Sequence, residues 1–262
     1  MNVWARLGAG CAGAIRRTIE TAAVSAGLLA LAAHRRRWPR TTRTVLGRQI
    51  LFTGVDAIPF ILAVSVAVGL TVVLQTKVWL GRVGQSAMAG PILVAVVVRE
   101  LGPLLVNFVV IGRSGTAIAS ELASMRVAGE IEVLESQGLD PSAYLVLPRA
   151  VGMAISVAGL TVIFTVTSFV SGYLGGRLLG APVGSGLIFM ESVLDAISRA
   201  DVVNLLAKSL LPGWLTAVEC SIEGLSAESS VSEVPQATTR GVVRSVASLF
   251  LISILISVLT YL

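Results

Sequence analysis

Long stretches without a charged side chain constrain this sequence more than any other feature. Residues 57–76, 150–176 and 245–262 contain no Asp, Glu, Lys or Arg, and about 20 apolar residues are enough for a helix to cross a bilayer core. Two further apolar stretches are interrupted by charge, 88–112 by Arg99 and Glu100, and 202–219 by Lys208. Because lipid offers no partner to backbone polar groups, such spans must be helical. The sequence therefore predicts an all-α integral membrane protein with five transmembrane helices.

The first 54 residues have a different character from the rest and form a separate predicted region. On a helical projection, apolar residues fall on one stripe and charged residues fall opposite, which predicts an amphipathic helix lying in the membrane interface. The stripe contains Trp4, Leu7, Cys11, Ile15, Ala22, Leu29 and Ala33, and the opposite face contains Arg6, Arg16, Arg17 and Glu20. Arg35 to Arg48 would form a basic collar beside the membrane. The alternative is a soluble helix packed on a partner protein. Residues 55–262 form the second predicted region, which is the membrane domain.

The charge distribution predicts both orientation and class of partner. Only 13% of residues are charged, about half the share found in soluble proteins. If the N-terminus is cytoplasmic, the segments 1–54, 113–149 and 219–244 hold 14 of the 20 basic residues. This asymmetry fits the positive-inside rule and places the C-terminus on the opposite side. The basic excess therefore indicates lipid headgroups and argues against nucleic acid.

The adjacent charges Arg99 and Glu100 stand inside a predicted span, where charge is costly and usually functional. One interpretation is a lipid or ion path, and the other is a buried pair that fixes the packing of helices. Adjacent residues project about 100° apart on an α-helix. We therefore expect the two side chains to face different neighbours, one lining a cavity and the other satisfying polar groups between helices.

The segment 113–149 is the longest predicted cytoplasmic loop. Ile118, Leu122 and Met125 have the spacing of one helix face. Gly138 is a natural helix stop, and Asp140-Pro141 is a natural helix start. The sequence therefore predicts a helical elbow that returns the chain to the membrane near Tyr144.

Several enzyme chemistries are poorly supported. Gly112-Arg113-Ser114-Gly115 resembles the pattern of intramembrane serine proteases, but a serine nucleophile needs a positioned base. The single histidine is His34, and a dyad with Lys208 has no supporting motif. The sequence contains no Gly-x-x-x-x-Gly-Lys-Ser/Thr phosphate loop, and Cys11 and Cys220 have no metal-ligand spacing. Any energy for transport would therefore come from another subunit.

A set of motifs along residues 45–262 resembles the MlaE/YrbE permease family, the membrane subunits of lipid ABC transporters that work with MCE-domain proteins. The densest block lies within 99–149. The motifs are Arg99-Glu100-Leu101-Gly102-Pro103, Gly112-Arg113, Ser120-Glu121-Leu122, Met125-Arg126, Gly138-Leu139-Asp140-Pro141, Pro148-Arg149, Lys208-Ser209 and Ala237-Thr238-Thr239-Arg240.

This resemblance implies a permease of the bacterial inner membrane that carries phospholipid or a related lipid and forms a homodimer or heterodimer. It implies a cytoplasmic ATPase partner that binds the ATP, a periplasmic MCE-domain protein, and no cofactor in this chain. The lipid path would contain Arg99, Glu100 and Asn107. Coupling to the ATPase would involve Arg113, Glu121, Met125, Arg126, Glu130 and Asp140, and a further cytoplasmic motif would be Thr238, Thr239 and Arg240. The alternative function is a membrane scaffold that recruits partners without transport.

Overall fold

The computed structural model describes residues 19–32, 40–83, 91–92, 94–178, 186–228 and 230–261, and within these ranges all regular structure is helical. We number the helices in chain order. They are α1 (Ile19–Ala32), α2 (Arg40–Thr53), α3 (Ile58–Val83), α4 (Val94–Val127), α5 (Glu130–Ser136), α6 (Ser142–Leu178), α7 (Gly186–Ala196), α8 (Arg199–Leu225) and α9 (Val234–Tyr261). Short 3₁₀ turns at Val55–Ala57 and Val231–Glu233 precede α3 and α9.

Four segments of the described chain are long and apolar enough to cross a bilayer, namely Arg43–Thr76, Val94–Val127, Ser142–Leu178 and Val231–Thr260. The uncharged stretches 57–76 and 150–176 lie within these segments, and the described part of 245–262 lies within α9. The remaining predicted span, 202–219, corresponds to α8, which is 27 residues long and carries Asp201, Lys208, Glu219 and Glu223. All four of these side chains are buried against other helices.

Helix α4 alternates between two kinds of winding. Its first part, Val94–Leu101, and a second stretch, Ile111–Gly115, are π-helical, and the α-helical part Gly102–Val110 lies between them. Stretches of π-helix are rare and are frequently found at functional sites. Arg99 and Glu100 belong to the first stretch, so the sequence motif coincides with irregular backbone.

Close packing of α3 on α6 depends on small residues. A methyl group placed on Gly69 would lie 2.3 Å from the carbonyl oxygen of Ser168, and one on Gly172 would lie 2.8 Å from the Val73 side chain. Ser168 Oγ also donates a hydrogen bond to the Ser65 carbonyl at 3.1 Å. Glycine and serine at such contacts let the two backbones approach, as is usual between membrane helices.

Helix α8 lies between α4 and α9. It runs in the same direction as α4, since Asp201 pairs with Arg99 near one end and Gly224 faces the Ala119 backbone near the other. Helix α9 runs in the opposite direction, so Ser257, near its C-terminal end, approaches Glu100 in the first part of α4. We call the two ends of this bundle the Asp201 end and the Glu223 end.

Three boundary predictions need correction or limitation. The segment 219–244, predicted to lie outside the membrane on the cytoplasmic side, is largely helical, because α8 continues to Leu225 and α9 begins at Val234. The helix α7 lies between the stretch 150–176 and the predicted span 202–219, where the sequence predicted no helix. Most of the predicted N-terminal stripe lies outside the described residues. Within α1, Ala22 and Leu29 of that stripe are exposed, while Ser25 and Leu28 pack against the protein.

Candidate functional site

The first part of the site is an ion pair between α4 and α8. Arg99 Nε lies 2.8 Å from Asp201 Oδ1, and Arg99 Nη2 donates to Asp201 Oδ2 at 3.3 Å. Asp201 also accepts from the backbone N–H and the hydroxyl of Ser198, each at 2.9 Å, and so completes a capping box at the start of α8. The Asp201 side chain is fully buried, whereas that of Arg99 is 34% exposed. The buried Asp201 carboxylate therefore fixes the position of the Arg99 guanidinium from the α8 side.

A second ion pair of the same kind lies beside the first. Lys208 Nζ donates to Glu100 Oε1 at 2.7 Å, and Ser257 Oγ of α9 donates to the same oxygen at 2.9 Å. The Lys208 side chain is 1% exposed, and that of Glu100 is 48% exposed. Again the buried partner belongs to α8 and the exposed partner to α4. We refer to Arg99, Glu100, Asp201 and Lys208 together as the charged cluster.

The backbone carbonyl of Arg99 is also part of the arrangement. In a regular α-helix this carbonyl would accept from the N–H of residue 103, but that residue is proline and has none. Lys208 Nζ donates to the Arg99 carbonyl at 2.9 Å, and Asn204 Nδ2 donates to it at 3.3 Å. Buried carbonyl groups require such partners. Pro103 thus explains why α8 places two donors beside α4 at this point.

Asn107, the third residue predicted for the lipid path, lies two turns further along α4 and is buried. Its Nδ2 donates to the Pro103 carbonyl at 2.7 Å and to the Lys208 carbonyl at 3.1 Å. This amide joins the α4 and α8 backbones next to the charged cluster. The structure therefore brings all three predicted residues to the contact between α4 and α8. Asn107 lies in the buried part of this contact.

The expectation that Arg99 and Glu100 face different neighbours is wrong, because both bind α8. The π-helical turn in which they lie changes the angle between adjacent residues only slightly, so the reason is the length of the two side chains. Asp201 and Lys208 are seven residues apart and so lie on one face of α8. Two long side chains on α4 can reach that face together. Each of the two side chains is both paired and partly exposed, and a part in lining a lipid cavity stays a prediction.

The residues predicted for coupling lie toward the Glu223 end. Arg113 Nη1 donates to the Phe52 carbonyl at 2.9 Å and its guanidinium covers the Phe52 ring. The Glu121 carboxylate pairs with the nearly buried Arg149 at 2.9 Å. Arg126 pairs with Glu132 at 2.8 Å.

Three further residues were predicted for coupling. Met125 is half-buried and Glu130 is exposed. Asp140 Oδ1 accepts a hydrogen bond from the Ser142 N–H at 2.9 Å. Their part in coupling stays a prediction.

The motif Thr238-Thr239-Arg240 lies near the start of α9, at the same end of the bundle. The two threonine hydroxyls bond to carbonyls of their own helix, four residues earlier. Arg240 Nε donates to Glu223 Oε2 at 3.0 Å, and Arg244 pairs with the other oxygen of Glu223. A groove of about 500 Å³ separates Thr238 and Thr239 from Thr116 and Ser120 of α4. This motif and the end of α4 therefore share one surface.

The predicted elbow region contains two glycines in the left-handed conformation. Gly129 (φ 75°) separates α4 from α5, and Gly138 (φ 76°) follows α5. Between them α5 carries Glu130, Glu132 and Glu135. Next to this turn, a cavity of about 610 Å³ is lined by residues of the α4–α5 turn and of the chain after α8.

Sequence reasoning missed Asp201, Glu223 and Arg244 as members of ion pairs. The capping-box spacing of Ser198 and Asp201 was a usable signal for the start of α8, but it did not reveal Arg99, 102 residues away. The weakly supported Ser114–Lys208 dyad is not formed, because Lys208 is bound to Glu100 and to the Arg99 carbonyl.

Comparison with known proteins gives a consistent result. The family model described as Permease MlaE matches residues 46–259. A probable ABC transporter permease protein of Rickettsia conorii is 30% identical over 82% of this chain and 80% of its own length. A probable ABC transporter permease protein of Synechocystis is 28% identical over 81% of this chain and 80% of its own. The chloroplastic protein TRIGALACTOSYLDIACYLGLYCEROL 1 of Arabidopsis thaliana is 29% identical over 80% of this chain and 59% of its own length.

Proposed function

The chain belongs to the MlaE permease family, and on this premise we propose that it is the membrane subunit of an ABC transporter for phospholipid or a related lipid. A separate ATPase subunit would supply the energy, because this sequence has no phosphate-binding loop of its own. The Arabidopsis relative carries the name of a galactolipid, which supports a lipid substrate.

The charged cluster is the observation that carries this proposal. Four ionised groups at one contact between membrane helices are costly unless they pair or serve a substrate. Here the two groups on α8 are buried, while Arg99 and Glu100 remain 34% and 48% exposed. A site for a lipid headgroup needs a few polar groups at fixed positions beside apolar surface. Arg99 would bind the phosphate, because guanidinium forms strong, oriented bonds with phosphate oxygens.

We further propose that α8 also crosses the membrane, as the fourth of five transmembrane helices in chain order. It runs alongside α4 over most of its length, from the Arg99–Asp201 pair to the contact of Gly224 with Ala119. A helix that accompanies a spanning helix over this distance would itself span. With five spans, the two termini lie on opposite sides, as the distribution of basic residues predicts.

The same orientation places the Glu223 end in the cytoplasm, where the ATPase would bind the elbow and the start of α9. The Asp201 end would face the periplasm of a bacterial inner membrane, beneath an MCE-domain protein. A second permease copy or a paralogue would complete the transporter. These partners follow from the family and stay proposals for this chain.

The test is lipid transfer by the complex purified from its native membrane. The tagged chain would be isolated in mild detergent, its ATPase identified by mass spectrometry, and the complex placed in liposomes containing a fluorescent phospholipid. We expect ATP-dependent transfer that falls by about tenfold in Arg99→Gln, the loss typical of one charge-assisted hydrogen bond. Arg177→Gln is the matched control, because Arg177 is exposed in α6 at the same end of the bundle.

Three results would contradict the proposal. The first is purification without any ATPase, and the second is a wild-type complex that transfers no lipid with ATP. The third is an Arg99→Gln complex that transfers lipid as well as the Arg177→Gln control. A scaffold without transport would give the second result while still retaining its partners.

A further inference from the structure

The exposed parts of the charged cluster present two opposite charges side by side. Arg99 and Glu100 are consecutive residues, both on the accessible side of α4, and their partners Asp201 and Lys208 lie behind them with at most 1% of each side chain exposed. A ligand that approaches this surface therefore meets one cation and one anion, each held in place by a buried group of the opposite sign.

Glu100 retains bonding capacity on its accessible side. The bonds from Lys208 and Ser257 both end on Oε1, and no hydrogen bond to Oε2 is found within the part of the chain that the structure describes. A carboxylate can accept about four hydrogen bonds in total. The half-exposed carboxylate is thus fixed by one oxygen and can receive a donor at the other.

We propose that this site selects zwitterionic phospholipids over anionic ones. The inference rests on the proposed transport function and names its substrate class. The headgroup phosphate would bind the Arg99 guanidinium, and the headgroup ammonium would donate to Glu100. A lipid with an uncharged alcohol in place of the ammonium would bring a net negative charge next to Glu100, at a site that is neutral as a whole. Repulsion of the wrong ligand is a common source of specificity.

The buried residue Asp201 has a separate part in this selection. The four members of the charged cluster carry two positive and two negative formal charges, so the site is neutral as a whole. Asp201 is fully buried and does not reach a headgroup, but its charge offsets that of Arg99. It is therefore a positioning residue. Replacing it with asparagine would make the site net positive and favour anionic lipids, through charge rather than contact.

The experiment measures headgroup preference with two lipids that share the same acyl chains. The complex would be placed in liposomes with equal amounts of phosphatidylethanolamine and phosphatidylglycerol, and the two lipids transferred with ATP would be quantified by mass spectrometry. We expect the wild type to favour phosphatidylethanolamine. Glu100→Gln and Asp201→Asn should each shift the ratio toward phosphatidylglycerol by about fivefold or more, within the range for a charged hydrogen bond. The control Glu191→Gln, in the exposed part of α7, should keep the wild-type ratio.

The possible outcomes separate this inference from the proposed function. ATP-dependent transfer with the same lipid ratio in wild type, Glu100→Gln and Asp201→Asn would overturn headgroup selection and leave the transport function standing. Absence of transfer by the wild type would overturn both. If Asp201→Asn fails to fold, Glu100→Gln decides the question, because Glu100 is half exposed and its amide form can still accept from Lys208. A ratio shifted by Glu191→Gln as well would also refute the assignment.

Discussion

Lys208 is the group in the charged cluster whose removal has the most informative consequence. Its ammonium makes two bonds, one to Glu100 at 2.7 Å and one to the Arg99 carbonyl at 2.9 Å. The first bond suggests that Lys208 stabilises the fold as half of an ion pair. The second suggests that it replaces the backbone donor that Pro103 lacks. The two interpretations predict different energies for the same set of variants.

The structure favours the carbonyl as the larger contribution. Glu100 is 48% exposed, and a pair with so accessible a partner is worth about 0–1 kcal/mol. A buried carbonyl that loses its donor costs about 1–3 kcal/mol, and the Asn204 amide, at 3.3 Å, is a weak substitute. We therefore expect Lys208→Met to lower the free energy of unfolding by about 2 kcal/mol. Glu100→Gln should also cost about 1–3 kcal/mol, because its amide oxygen still accepts but leaves the buried Lys208 ammonium without a counter-charge.

A double-mutant cycle with Pro103 tests the reasoning directly. Pro103→Ala supplies an N–H four residues after Arg99, so it should recover about 1 kcal/mol more in the Lys208→Met protein than in the wild type, as expected for groups in contact. The measurement is denaturant unfolding in detergent micelles, followed by circular dichroism. No added recovery from Pro103→Ala in the Lys208→Met protein would refute the role of the carbonyl.

Two further predictions concern helix packing and coupling. Gly69→Ala should lower the free energy of unfolding by about 1–3 kcal/mol, because its methyl group would lie 2.3 Å from the Ser168 carbonyl oxygen; Gly159→Ala, which meets nothing within 4 Å, should raise it by up to about 1 kcal/mol. Equal effects in micelles would contradict the packing of α3 on α6. Glu130→Lys, on the exposed face of α5, should abolish lipid-stimulated ATP hydrolysis by the purified complex, whereas Glu191→Lys should not. Normal stimulation in the Glu130 variant would refute coupling through the elbow.

Hydropathy and turn chemistry predicted much of the fold, because those signals are local. The uncharged stretches identified α3, α6 and α9, and Gly138 and Asp140 have the conformation and hydrogen bond that their positions suggested. The ends of the spanning helices could not be found in this way. Helix α8 continues past Glu223 because that carboxylate binds Arg240 and Arg244 of α9. Such charges look like a boundary in the sequence and become compatible with a helix only through a distant partner.

The position of the charged cluster was conspicuous in the sequence, but the pairing of its members was not. Arg99 and Glu100 were conspicuous because charge inside an apolar stretch is rare. Their partners were not, since Asp201 lies just before the predicted span 202–219 and Lys208 resembled an isolated interruption of that span. The angular argument about adjacent residues failed because the long Arg99 and Glu100 side chains can both reach Asp201 and Lys208 on one face of α8. Pairings between residues about 100 positions apart depend on packing, which residue types in one sequence do not reveal.

Helix α8 illustrates why hydropathy and membrane location can disagree for a single helix. Its polar residues Asp201, Asn204, Lys208, Ser209 and Thr216 are buried, whereas its exposed large residues include Val202, Val203, Leu206, Leu210 and Leu211. A helix on the surface of a soluble protein has the opposite arrangement, with polar residues toward the solvent. Apolar residues outside and paired charges inside suit a helix whose outer solvent is lipid. The low mean hydropathy of α8 therefore reflects what it contributes to the interior of the bundle, and the charged cluster is the part of that interior that reaches the surface.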